Sequence, residues 1–132
     1  MSVTRFQAFV LMLLIAMPLA VAAEEEGDSQ PAYHELSPSL VVNLPKGAKY
    51  IRCDVQLMTL EEALLPDIQL HAPAIRDTLL MLISEQDGAK LKTPEGKEEL
   101  RIAAIDATRE LMKELTGKDT VDELFFTAFF VQ

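Results

Sequence analysis

The feature that most restricts the fold is the stretch Tyr50 to Met58, where polar and apolar side chains alternate without a break. Ile51, Cys53, Val55 and Leu57 fall on one side of an extended chain, and Tyr50, Arg52, Asp54 and Gln56 on the other. A helix would scatter these four apolar groups around its circumference, so the stretch is a strand with one buried face. Just before it, Leu40-Val41-Val42-Asn43-Leu44 ends at Pro45, and Lys46-Gly47-Ala48-Lys49 supplies turn chemistry. The two runs predict a hairpin of fixed register, because a slip of one residue would expose all four apolar side chains.

After Thr59 the period lengthens to that of helices. Thr59 and Glu62 have capping-box spacing and open a short helix that Pro66 interrupts or kinks. Pro73 suits the first turn of a second helix with Ile75, Leu79, Leu82 and Gln86 along one face, widened by Met81 and Ile83, and Gly88 stops it. A third helix starts at Thr93 as cap, with Pro94 and Glu95 in its first turn, and closes at Gly117. Its apolar stripe is Leu100, Ala104, Ala107 or Thr108, Leu111 and Leu115. Glu98, Arg101, Glu110, Lys113 and Glu114 face solvent, and Arg109 lies near Asp106 and Lys113.

The final segment carries Phe125, Phe126, Phe129 and Phe130, with apolar groups at both parities. That pattern predicts a strand that is central or lies at an interface. In a regular strand Phe126 and Phe130 share one face and Phe125 and Phe129 the other. One pair fills the core, and the other needs cover from the rest of the chain or from a partner. Strand, strand, helices, strand is the order of an α+β domain, a small sheet with helices packed on one face.

The amino end is of another kind. Phe6 to Ala23 holds no charge, and every acidic residue lies beyond it. The most apolar part, Ala8 to Met17, is ten residues long, the size of a signal h-region, and includes Phe9, Leu11, Leu13, Leu14 and Ile15. Pro18 breaks the run, and Val21-Ala22-Ala23 offers small residues for a signal peptidase ahead of Glu24-Glu25-Glu26. The whole uncharged run, as a helix rising 1.5 Å per residue, spans about 27 Å and also suits a retained anchor. Residues 1–23 are thus a signal peptide, with Val21 and Ala23 at the cleavage site, or a signal-anchor helix. Arg5 before the run and the glutamates after it predict export of the remainder in both cases. Residues 24–32 form an acidic linker, too poor in large apolar groups to order itself, and residues 33–132 form the domain.

Composition removes several function classes. A net charge of −9 repels a polyanion, so no nucleic-acid partner is expected. One cysteine builds no disulfide framework, and His34 and His71 lack further ligands at metal spacing. Cys53, at apolar parity, reads as a packed thiol. Asp67 beside His71 and Glu35 beside His34 give each histidine a carboxylate within local reach, but surface or capping roles account for both. The adjacent pairs Glu61-Glu62 and Glu98-Glu99 diverge by about 100° on a helix and so do not share a proton. The glycines are isolated, with no phosphate-binding motif or nucleophile elbow, so no cofactor and no catalytic residues are expected.

Four segments in order, Leu40 to Leu44, His71 to Ser84, Leu91 to Arg101 and Phe126 to Gln132, resemble the FliL family of flagellar basal-body proteins. The resemblance covers about Tyr33 to Gln132. It implies a non-enzymatic periplasmic domain of stomatin-like α+β fold, attached to the inner membrane, that gathers around the flagellar stator proteins. It further implies self-association into an oligomer or ring and an influence on rotation, torque or swarming. Family members usually carry a basic cytoplasmic tail and a longer anchor, from which this amino end departs. A soluble periplasmic adaptor released by cleavage is the alternative. Arg76, Phe125 and Phe129 are the candidate assembly residues: Arg76 as a salt-bridge donor to a neighbouring subunit or to Asp77, the phenylalanines as apolar contacts.

Overall fold

The computed structural model describes residues 30–132. The segment 1–23, with Phe6, Phe9, Leu11, Leu13, Leu14, Ile15, Val21 and Ala23, lies outside the described residues, as does most of the acidic linker. Three strands, β1 (Ala32–Asn43), β2 (Tyr50–Thr59) and β3 (Glu123–Val131), form one antiparallel sheet in the order β1-β2-β3. Between β2 and β3 run a single 3₁₀ turn (Glu62–Leu64) and three helices: α1 (Leu65–Ser84), the short α2 (Gly88–Leu91) and α3 (Pro94–Thr116). The architecture is α+β, as expected. No helix among the described residues is long and apolar enough to cross a membrane.

The alternation in β2 sets the core. Ile51, Cys53, Val55 and Leu57 are fully buried, and their ladder neighbours Val42, Leu40, Leu36 and Leu124 join them. Against this face α1 lays Ile68, Ile75, Leu79 and Ile83, and α3 lays Leu100, Ala104, Ile105, Thr108 and Met112. Spacings of seven, four and four along α1 keep one stripe inward. They put Ile83, and not Leu82 or Gln86, at its end. On α3 the stripe drifts the same way: Met112 is buried, whereas Leu115 is exposed.

Several expectations need correction. β1 extends far upstream of Leu40, because Leu36 and Leu40 pair with Val55 and Cys53 while Ser37-Pro38-Ser39 loop out opposite Asp54. A proline that cannot donate to a ladder is accommodated in such an irregularity. Pro66 does not interrupt a helix but sits in the first turn of α1, and Pro73 lies inside the same helix. Pro73 is on the exposed side, where water reaches the carbonyl it leaves unpaired. The expected capping box does not form: Thr59 Oγ instead accepts from the Glu61 N–H at 3.2 Å.

Gly88 does not stop α1 either, which ends at Ser84; it opens α2. Its N–H donates to the Lys46 carbonyl at 2.9 Å, and a Cβ there would stand 2.4 Å from that of Ala48. This close approach ties the β1–β2 loop to α2. The α3 signals hold as read: Thr93 Oγ accepts from Gly96 N–H at 3.0 Å, and Gly117 closes the helix at φ 74°. Finally, β3 is an edge strand and not a central one.

Candidate assembly surface

β3 does not alternate regularly. Val55 pairs with Phe126 and Asp54 with Ala128, so Thr127 is an extra residue opposite a single step of β2. Such a bulge shifts the parity of everything after it. Leu124, Phe126, Phe129 and Val131 pair with the buried positions Leu57, Val55, Cys53 and Ile51, and so share the helix-facing side. Phe125 and Phe130 pair with Gln56 and Arg52 on the opposite, open side. The grouping of Phe125 with Phe129 is therefore corrected: Phe129 packs on Phe126, with ring centroids 5.0 Å apart at 59°, and it is Phe130 that shares Phe125's face. Phe125 and Phe130 are 39% and 53% exposed.

Along the outer flank of β3 lie two hollows. One, of about 350 Å³, is lined by Pro94, Lys97, Glu98, Arg101, Phe125 and Phe126. The other, of about 280 Å³, is lined by Leu91, Lys92, Phe129, Phe130 and Val131. Positions 94, 97, 98 and 101 share one face of α3 at helical spacing, which is why they meet the strand together. The Lys97 ammonium stands 5.1 Å above the Phe129 ring.

Arg101 joins α3 to the start of β3. It donates to Glu98 at 2.7 and 2.8 Å, to Glu123 at 3.1 Å and to the Leu124 carbonyl at 3.5 Å. The hydrogen bonds from Arg101 hold the Glu98 carboxyl below its usual range, and Glu98 in turn raises the guanidinium. Arg109 donates to the carbonyls of Val121, at 2.9 Å, and Asp122. Those backbone bonds replace the expected neighbourhood of Asp106. Glu98 to Arg101 was open to inference from its spacing, but the long-range partners of Arg101, Arg109 and Lys97 were not.

At the other edge, Arg76 clamps the irregular loop of β1 by donating to the carbonyls of Pro38 and, at 3.0 Å, Ser39. Its guanidinium is thus engaged within the chain in place of the local pair with Asp77. A hollow of about 370 Å³ beside it is lined by residues including His34, Gln69 and Arg76. His71 stands half-buried on α1, outside that lining. Cys53 is sealed in the core, where burial, with Asp54 adding to it, pushes its thiol up to about 12. Among the described residues no three of His, Cys, Asp and Glu converge as a metal site.

Comparison with known proteins accords with this domain. Residues 33–132 match the family described as flagellar basal body-associated protein FliL. The flagellar protein FliL of Aquifex aeolicus (strain VF5) is 29% identical over 101 residues, covering 75% of this chain and 60% of that protein. The flagellar protein FliL of Escherichia coli (strain K12) is 31% identical over 119 residues, covering 85% of this chain and 75% of that protein. With one family spanning every described strand and helix from Tyr33 to Gln132, the chain belongs to the FliL family of flagellar basal body-associated proteins.

Proposed function

We propose that this protein is an exported, non-enzymatic accessory of the flagellar motor that gathers at the stator and acts by assembly, influencing rotation, torque or swarming. The observation that carries the reading is the family match across the whole described domain. The surface it uses is the β3 flank, where Phe125 and Phe130 remain exposed on a sheet edge. The share of the two phenylalanines that remains exposed, together about 140 to 230 Å², supplies about 3–6 kcal/mol toward association at about 25 cal/mol per Å². The uncharged segment 6–23 directs the domain across the inner membrane, where it faces the periplasm.

A deletion strain is expected to lose torque or swarming, with the wild-type chain restoring it and a chain carrying Phe125→Ser and Phe130→Ser restoring less. Unchanged swimming, swarming and torque in the deletion would overturn the reading. Fractionation with amino-terminal sequencing checks export. A cytoplasmic chain that keeps Met1 would contradict it.

A further inference from the structure

We propose that the outer edge of β3 takes an extended acidic segment of another protein, added as a fourth strand along Ala128–Val131. The inference rests on the reading of β3 as the assembly surface and names the chemistry of what it receives.

β3 is hydrogen-bonded on one side only, to β2. Upstream, the free side is already served: Arg109 holds the Val121 and Asp122 carbonyls, and Arg101 reaches that of Leu124. The Thr127 bulge then interrupts the edge, a device that limits indiscriminate pairing. What remains regular is Ala128–Val131, about 13 Å of strand at about 3.3 Å per residue. Its outward backbone groups call for a partner with N–H and C=O at that same repeat, which is a polypeptide.

Side-chain chemistry then selects the sequence. On the helix side this edge is bordered by Lys97, over Phe129, and by Lys92 in the neighbouring hollow. Ion pairs among the described residues are Lys46–Asp87, Arg101–Glu98 and Arg101–Glu123, so neither Lys92 nor Lys97 has an ion-pair partner among those residues. In a chain of net charge −9 this flank keeps two exposed lysines, while the neighbouring Glu98 is paired with Arg101. On the open side of the same edge stands Phe130. An added strand presents successive side chains to opposite faces, so the matching segment alternates acidic residues toward the lysines with apolar residues toward Phe130. A second copy of this chain matches less well. Its other free edge, β1, reads Ala32-Tyr-His-Glu-Leu-Ser-Pro-Ser-Leu-Val-Val-Asn43, with Glu35 as its one acid.

The test uses the purified full chain and fluorescence anisotropy with a labelled octapeptide of alternating Glu and Val. Lys-Val and proline-interrupted Glu-Val octapeptides serve as controls. Binding of the Glu-Val peptide is expected to weaken with salt and to fall at least about tenfold in a Lys92→Glu/Lys97→Glu variant. Proline in the peptide, which removes a strand donor, is expected to abolish it. Both lysines are exposed, and circular dichroism with urea denaturation confirms that the variant is folded. Equal binding of the proline peptide would overturn strand addition, and equal binding by the double variant would overturn the charge match. If light scattering shows the wild type self-associated, the double variant monomeric, and neither binding peptide, the edge is a contact between copies and the proposal fails. Motility is a separate readout: peptide binding with normal motility in the deletion strain would refute the motor role and leave the edge site standing.

Discussion

Replacing Phe129 and Phe130 with alanine, one at a time, distinguishes the bulged strand from a regular one. If Thr127 took a regular place in the ladder, Phe130 would lie with Phe126 under the helices and Phe129 would face outward. The observed pairing reverses this. Truncating a fully buried phenylalanine costs about 3–5 kcal/mol. Phe129 is half-buried, stacked on Phe126 and covered by the Lys97 ammonium, contacts that restore part of what incomplete burial loses. Its loss is expected to cost about 2–3 kcal/mol. Phe130, 53% exposed on the face without helices, is expected to cost about 1 kcal/mol or less. With a slope of about 1–2 kcal/mol per molar urea, the midpoint shifts by about 1–3 M for Phe129→Ala and by less for Phe130→Ala, at unchanged slope. Deleting Thr127 leaves Phe126, Phe129 and Val131 on the helix side of a now regular ladder, so it is expected to cost less than Phe129→Ala. An equal or larger loss at Phe130 would refute the assignment of faces, and a deletion as damaging as Phe129→Ala would refute the role given to the bulge.

Two further perturbations probe the core and the β1 loop. Arg76→Met removes the donors to the Pro38 and Ser39 carbonyls and is expected to cost about 2 kcal/mol by urea denaturation, with Arg76→Lys recovering only part, because a single ammonium does not reproduce a planar fork. Cys53, ordinarily near 9.0 and pushed up to about 12 by burial, is expected to react with a disulfide reagent at pH 8 at least about 1,000-fold more slowly in the folded chain than in urea. Because its folded value is raised, its contribution to stability is complete below about pH 9. It falls by about 1.4 kcal/mol per pH unit toward 12, as the unfolded thiol ionises first. Cys53→Ala is expected to remove that part of the alkaline decline, and an unchanged decline would contradict the assignment.

What the sequence makes legible here is what depends on local period. The β2 alternation, the β1–β2 turn and both ends of α3 are read directly, since each rests on neighbours within a few residues. Boundaries set by tertiary contact are not. The sequence marks the first strand only from Leu40, yet Arg76 holds the Pro38 loop from another element and β1 continues on both sides of it. Pro73 looks like a helix start, yet packing of Ile68 and Ile75 on the same core carries α1 through it. The bulge at Thr127 has no local signature, and it decides which phenylalanines are buried. For the candidate surface, the segment was identified but the pairing of faces was not.

The open face of the sheet explains why recognition is better placed at an edge than across that face. Three strands covered by helices on one side leave the other to solvent, and here the exposed apolar side chains are kept apart. Arg52 stands between Val41 and Phe130, Gln56 lies between Glu35 and Phe125, and Asp54, bonded by Ser39, occupies the middle of the central strand. A flat docking face would concentrate its apolar groups at the centre and its charges at the rim. This sheet does the reverse, with a polar central column and apolar residues on the outer strands. The arrangement keeps the face from forming one large exposed apolar patch. It leaves Phe130 beside the unpaired backbone of Ala128–Val131, where an incoming strand satisfies hydrogen bonds, buries aromatic surface and meets Lys92 and Lys97 at once.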